Sequence, residues 1–199
     1  MSLTFEPRAH RYFWNGKQVP NVTTVLAPLT DYSKIHYAVL DRARQEGEHM
    51  HRMVELFIHD DLDEGALPAW LKPRLAAYQK FLTDTGFSCE ASEHLVYHIA
   101  HEYAGRLDLI GTMNGDISVI DIKRSLFAGP AIALQLAAYQ EAENDARKRA
   151  KLPKAKRRYA LQLRANGRYK LEPYEDQTDF AVFLAFLTAY KWRQQHESA

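Results

Sequence analysis

Cysteine is nearly missing from this 199-residue chain: Cys89 stands alone. A single cysteine excludes an internal disulfide, and it excludes a four-cysteine zinc or iron–sulfur cluster built within the chain. It fits a reducing compartment, so a cytoplasmic location is expected. Long apolar runs are lacking as well. No stretch reaches the roughly 18 consecutive apolar residues of a membrane-spanning helix, so no membrane partner is expected. The opening Met-Ser-Leu-Thr-Phe-Glu-Pro-Arg has no basic region leading into an apolar stretch and does not read as a secretory signal. No G-x-x-x-x-G-K-[ST] loop occurs, which excludes a P-loop ATPase within this sequence. Internal repeats and low-complexity segments are also missing.

Net charge is a further near-absence, a formal +1, and it hides a segregation. Between Asp145 and Arg158 stand Arg147, Lys148, Arg149, Lys151, Lys154, Lys156, Arg157 and Arg158 against one acid. Those fourteen residues carry +7 and the remainder −6. Such a run is either a footprint for a polyanion or a solvated surface turn.

What is present is an ordinary globular composition, 46% hydrophobic and 26% charged. A chain of this length buries a core without staples. One domain over 1–199 is expected, with a hairpin and extended segment in 1–30 and the core in 31–199. Arg11-Tyr-Phe-Trp14 and Lys17-Gln-Val19 flank Asn15-Gly16, a strong hairpin signal. Tyr12, Phe13 and Trp14 read as core aromatics, with stacking on unpaired bases as the other use. Pro20 to Leu26 reads as extended. Ser33 is the expected cap of a helix to about Ile58, with Ile35, Val39, Met50, Met53, Val54 and Phe57 on its apolar face. A second helix is expected from Pro68 to Thr83, stopped by Gly86. Three strands follow at 92–100, 105–113 and 117–123, the last two joined by Asn114-Gly115. A helix over 130–149, strands at 158–163 and 169–171, and a helix over 178–195 complete the chain. This order predicts the mixed α/β class, a central mixed β-sheet flanked by helices.

The informative stretch is Gly105-Arg-Leu-Asp108 to Asp121-Ile-Lys123. On a strand Asp121 and Lys123 project from one face and Ile122 from the other. If Met113 pairs with Asp116, Asp108 falls near Asp121 on the neighbouring strand. Two carboxylates at one strand spacing repel unless a cation lies between them. Hard oxygen ligands of this kind suit Mg²⁺ or Mn²⁺. Gln135 and Tyr139, four apart, share one helix face.

Gly47-Glu-His-Met-His51, Gly105-Arg-Leu-Asp108, Asp121-Ile-Lys123 and Gln135-Leu-Ala-Ala-Tyr139 follow one another in that order. In this the chain resembles the PD-(D/E)xK nuclease superfamily. The branch it is most similar to holds RecB-like, Cas4-like and phage RecE-like exonucleases and the mitochondrial genome maintenance exonuclease. Val19-Pro-Asn-Val-Thr23 is similar to the V-P-S-V-T of some members, with Asn21 where Ser is usual and Thr23 retained.

The resemblance implies a restriction-endonuclease-like core and metal-dependent cleavage of DNA. It implies that His51, Asp108, Asp121 and the Ile122 carbonyl bind Mg²⁺ or Mn²⁺, without an iron–sulfur cluster. Lys123 would hold or deprotonate the attacking water or stabilise the charge developing on the phosphorane, with Gln135 and Tyr139 orienting Lys123 or the phosphate. Glu93 is either a further carboxylate near the metal or a plain surface charge, and Glu55 is a candidate to support His51. DNA contacts are expected from Thr23, Arg42, Arg44, Arg124, Lys148, Arg149, Lys151 and Lys154. The expected partner is DNA, as single strands or duplex ends, with a single-strand annealing protein and further copies of the chain as additional partners. The implied activity is exonucleolytic, in DNA-end processing, recombination or repair, with a phage or prophage setting. A structure-specific or restriction-like endonuclease and a non-catalytic DNA-binding module are the alternatives.

Overall fold

The computed structural model describes residues 2–33, 35–125 and 129–197. A three-stranded antiparallel meander opens the chain: β1 (Leu3–Glu6), β2 (Arg11–Trp14) and β3 (Lys17–Val19). Asn15-Gly16 turns β2 into β3 with positive φ at both residues, the conformation a two-residue hairpin needs. The sequence pattern gives no signal for β1, which forms by pairing with the other edge of β2.

The expectation of an extended Pro20–Leu26 is corrected. Val22–Val25 winds into a one-turn helix, α1, because Asn21 caps it. Its Oδ1 accepts the Thr24 N–H at 2.9 Å, and Val22 and Val25 turn into the core.

α2 (Tyr37–Ile58) begins later than the apolar period predicts. Ser33 spends its N–H on the Asp31 side chain, 2.9 Å, in a local turn. His36 caps the helix instead, Nδ1 accepting the Ala38 N–H at 3.2 Å. Ile35 and Val39 therefore stand exposed, and the buried face is Met50, Met53 and Val54. α3 (Lys72–Thr85) likewise starts after Pro68, and ends on left-handed Gly86 as expected.

The main sheet is built from β4 (Ser88–His98), β5 (Tyr103–Met113) and β6 (Asp116–Lys123), then β7 (Arg157–Leu163) and β8 (Tyr169–Pro173). They lie side by side in chain order. Neighbours are antiparallel except β6 and β7, which run parallel across the crossover helix α4 (Ala131–Arg149). α5 (Asp179–Glu197) closes the chain. Helices cover both faces of the sheet, so the mixed α/β expectation holds.

Each face has its own core. Val22, Leu136, Ala138 and Phe183 bring α1, α4 and α5 onto Val119. Met53, Val54, Tyr78 and Phe81 bring α2 and α3 onto Ile120 and Ile122. Alternation along β6 thus sends Asp121 and Lys123 to the α4 side, as expected. A smaller cluster docks the meander on the main sheet: Tyr12 and Val19 meet Tyr97 and Ala104, and Trp14 stacks on Tyr97 at 4.2 Å. Those aromatics serve packing. Among the described residues no helix is long and apolar enough to cross a membrane.

Candidate active site

The β5–β6 hairpin sets the site. Asn114-Gly115 turns it with φ of 51° and 81°, and Met113 pairs with Asp116 as the sequence suggests. The same ladder runs to Leu109 opposite Ile120, and one further step places Asp108 beside Asp121. Both carboxylates are buried. Asp108 Oδ2 accepts the Ile122 N–H at 2.6 Å, locking one acid to the backbone of the strand that carries the other.

Lys123 reaches back along its own face, Nζ lying 2.7 Å from Asp121 Oδ2 and donating to Gln135 Oε1 at 3.3 Å. Among the described residues the buried Asp121 Oδ2 has this ion pair as its polar contact. Gln135 Nε2 in turn donates to the Tyr139 hydroxyl at 3.1 Å. The expected Gln135–Tyr139 pair therefore meets the lysine directly. Gly105 makes the room: a Cβ there would overlap the Tyr139 ring.

His51 arrives from α2. Its Nε2 faces the Ile122 carbonyl at 3.1 Å, and its Nδ1 lies 3.4 Å from both Glu93 Oε1 and Asp108 Oδ1. Burial works against the imidazolium, but Asp108 and Glu93 outweigh it and push His51 up to about 10. Burial also opposes the Asp108 charge, and His51, Lys123 and the Ile122 N–H hold that carboxyl below its usual range. Burial pushes Asp121 up to about 6, with Lys123 pulling it down and Asp108 adding to the rise. Lys123 is lowered by burial but raised more by Asp121 and Asp108, so it stays an ammonium. Burial keeps Tyr139 protonated.

This donor set fits a hard divalent cation. His51 Nδ1 and one oxygen each from Glu93 and Asp108 lie within 4.8 Å of one another. With Nε2 donating to a carbonyl, a neutral ring turns its Nδ1 lone pair toward two carboxylate oxygens. Only a proton or a metal ion reconciles those charges. The triangle differs from the expected ligand set of His51, Asp108, Asp121 and the Ile122 carbonyl: Glu93 is in it, Asp121 is not, and the Ile122 carbonyl is instead the partner of His51 Nε2.

Glu93 comes from β4, with an unusual backbone. Its φ is 49°, a left-handed residue inside a strand. Arg106 forms an ion pair with Glu93, Nε to Oε2 2.8 Å, and its guanidinium lies over the Phe5 ring, 5.0 Å from the centroid. Glu93 is thus half-buried and paired on both carboxylate oxygens.

His51, Arg106, Asp108, Asp121, Lys123, Gln135 and Tyr139 line a cleft of 720 Å³, with Glu93 behind its wall against His51 and Arg106. Its walls come from the meander (Arg8, His10, Tyr12), α1 (Thr23), α2 (Arg44, Gly47, Glu48, His51), β5 and β6 (Arg106, Asp108, Asp121, Lys123) and α4 (Gln135, Tyr139). Thr23 Oγ1 bonds the Asn21 cap at 2.8 Å and faces His10 Nε2 at 3.4 Å.

Several expected residues lie elsewhere. Arg42 and Arg124 both pair with Glu46, at 2.9 and 3.2 Å. Glu55 pairs with Arg52 at 2.7 Å and takes no part in the site. Lys148, Arg149, Lys151 and Lys154 sit at the far end of α4 and in the loop after it, outside the cleft wall. Most of that basic run has acid partners: Arg147 with Glu143 and Glu90, Arg149 with Asp145, Lys156 and Arg157 with Asp116, Arg158 with Asp179. Sequence reasoning misses Arg106, although strand alternation sets it on the Asp108 face. Arg8 and His10 carry no such signal, since only docking of the meander brings them to the cleft, and Tyr12, expected as a core aromatic or a base-stacking residue, is buried and also borders the cleft.

No protein-family model and no curated protein matches this sequence. Among solved structures the chain is similar to an alkaline exonuclease from Laribacter hongkongensis. The identity is 14%, over 90% of this chain and 94% of that one, with a TM-score of 0.41. The same exonuclease in complex with dAMP gives 13% identity, 90% and 89% coverage and a TM-score of 0.41. The protein SSO0001 gives 14%, 87% and 75%, with a TM-score of 0.42.

Proposed function

We propose that this chain is a divalent-metal-dependent DNA nuclease of the PD-(D/E)xK kind, hydrolysing phosphodiester bonds from DNA ends in recombination or repair. The observation that carries the reading is the meeting of His51, Glu93 and Asp108 within 4.8 Å, beside Asp121 and an ammonium at Lys123. The acids come from three strands and the histidine from a helix, which a plain surface ion pair does not require.

A bound Mg²⁺ or Mn²⁺ would polarise the scissile phosphate and lower the pKa of a coordinated water. The chain's own groups do the rest. His51, anchored by the Ile122 carbonyl, presents Nδ1 to the carboxylates. Lys123 is held by Asp121 and Gln135 and stays charged, so it donates to the attacking water or to a phosphate oxygen as negative charge builds. The charge that Asp121 and Asp108 maintain on Lys123 suits that donor role. Tyr139 fixes Gln135, and Gly105 fixes Tyr139. Arg8 and Arg44 supply positive charge along the cleft, the kind of contact that positions a phosphate backbone without reading sequence.

End-labelled single and double strands, with a circular single strand alongside, test the reading in Mg²⁺. Progressive loss from an end and an intact circle are expected, with cleavage abolished by Asp121→Ala and by Lys123→Ala. A circle cut as fast as linear DNA assigns an endonuclease instead. Full activity in both variants removes the site assignment.

A further inference from the structure

Glu93 adopts a backbone conformation that a residue with a Cβ avoids, and does so where its carboxylate joins His51 and Asp108. Something must hold it there. The Arg106 guanidinium engages Glu93 Oε2 at 2.8 Å while Oε1 faces His51 Nδ1 at 3.4 Å. Arg106 itself is braced: its plane rests over Phe5, and Phe5 is fixed in the meander, where it pairs with Tyr12 across β1 and β2. Arg106 and Asp108 share a face of β5, so one strand supplies both a member of the triangle and the brace for another.

We infer that Arg106 is a positioning residue for the metal centre, backed by the Phe5 ring and holding Glu93 against His51 so that its carboxylate is preformed for the cation. This rests on the metal-dependent reading above. A positioning partner of a metal-binding group typically contributes a factor of about 10 to 100 in metal affinity. The clamp also gives the N-terminal meander a role at the centre, because the brace begins at Phe5. Arg rather than Lys is required, since the planar fork stacks on a ring and bonds a carboxylate at once.

The test is titration of Mn²⁺ alone into the full chain by calorimetry, without DNA. Arg106→Ala is expected to weaken Mn²⁺ binding by about 10- to 100-fold, with Arg106→Lys and Phe5→Leu falling between it and the unchanged chain. Circular dichroism checks that each variant is folded, and Arg106→Gln, close in size, serves if the alanine variant is not. Cleavage by the variants is expected to return toward normal as Mn²⁺ is raised, which a purely structural defect would not show. Wild-type Mn²⁺ affinity in folded Arg106→Ala or Arg106→Gln overturns the inference and leaves the nuclease reading intact. Failure of the unchanged chain to bind Mn²⁺ overturns both.

Discussion

Glu93 carries strain that a pair of substitutions can read. A left-handed residue with a Cβ costs roughly 1–2 kcal/mol, whereas glycine takes that conformation freely. In an ordinary strand alanine is the more stable of the two. At this position Glu93→Gly is expected to exceed Glu93→Ala by about 1 kcal/mol in urea unfolding, with metal binding lost in both. The usual order, alanine above glycine, would show that no strain is held there. A second residue-scale case is Glu143, buried against Arg147 at 2.8 Å with His94 at 3.3 Å. Burial opposes its charge, but His94 and Arg147 prevail and depress its pKa. The stabilisation is therefore present above the ordinary glutamate range and is lost as pH falls through the depressed value. Glu143→Gln should cost about 1–2 kcal/mol at neutral pH, since Arg147 loses one charged partner and keeps Glu90 and the Pro153 carbonyl. In thermal melts the gap from the unchanged chain should close as the pH is taken below the ordinary glutamate range; a constant gap would refute the pairing.

At the scale of elements, β5 and α4 are fitted through one missing side chain. Gly105 lets the Tyr139 ring lie against the strand, and that ring holds Gln135 on Lys123. Gly105→Ala is expected to destabilise by about 1–3 kcal/mol, the usual cost of overpacking, and to lower kcat more than KM. Tyr139→Phe keeps the packing and removes only the hydroxyl, so it should lower kcat with little change in melting temperature. The two outcomes together separate the packing role from the hydrogen bond. The β5–β6 hairpin is legible in the sequence because Asn114-Gly115 fixes its register and the two acids then follow by counting. The start of α2 is not legible: Ile35 and Val39 continue the apolar period, while Ser33 is already committed to a turn with Asp31. Asn21 misleads in the other direction, since a one-turn helix has too few residues to show a period, and the cap alone marks it.

For the molecule as a whole, linear charge is a poor map of surface charge. The basic run of Arg147–Arg158 is concentrated in sequence, but acids from β4, α4, β6 and α5 meet most of it after folding. Replacing Lys148, Lys151 and Lys154 together by Glu is expected to leave kcat and KM on a short oligonucleotide within about twofold, since they stand outside the cleft wall and exposed charges are screened by salt. Arg44→Glu in the cleft wall should raise KM and make it less sensitive to salt, because a cleft that neutralises fewer phosphates releases fewer counterions. The reverse pattern would relocate the DNA path to the end of α4. The central four motifs are readable because each sits on one regular element. The wall formed by Arg8 and His10 is not, because it depends on a small sheet docking across the chain.

The most direct test of the central claim is a crystal soaked in Mn²⁺ and measured for anomalous scattering. The account predicts a peak bounded by His51 Nδ1 and the carboxylates of Glu93 and Asp108, beside Asp121. Anomalous density elsewhere, with that triangle empty, would contradict it.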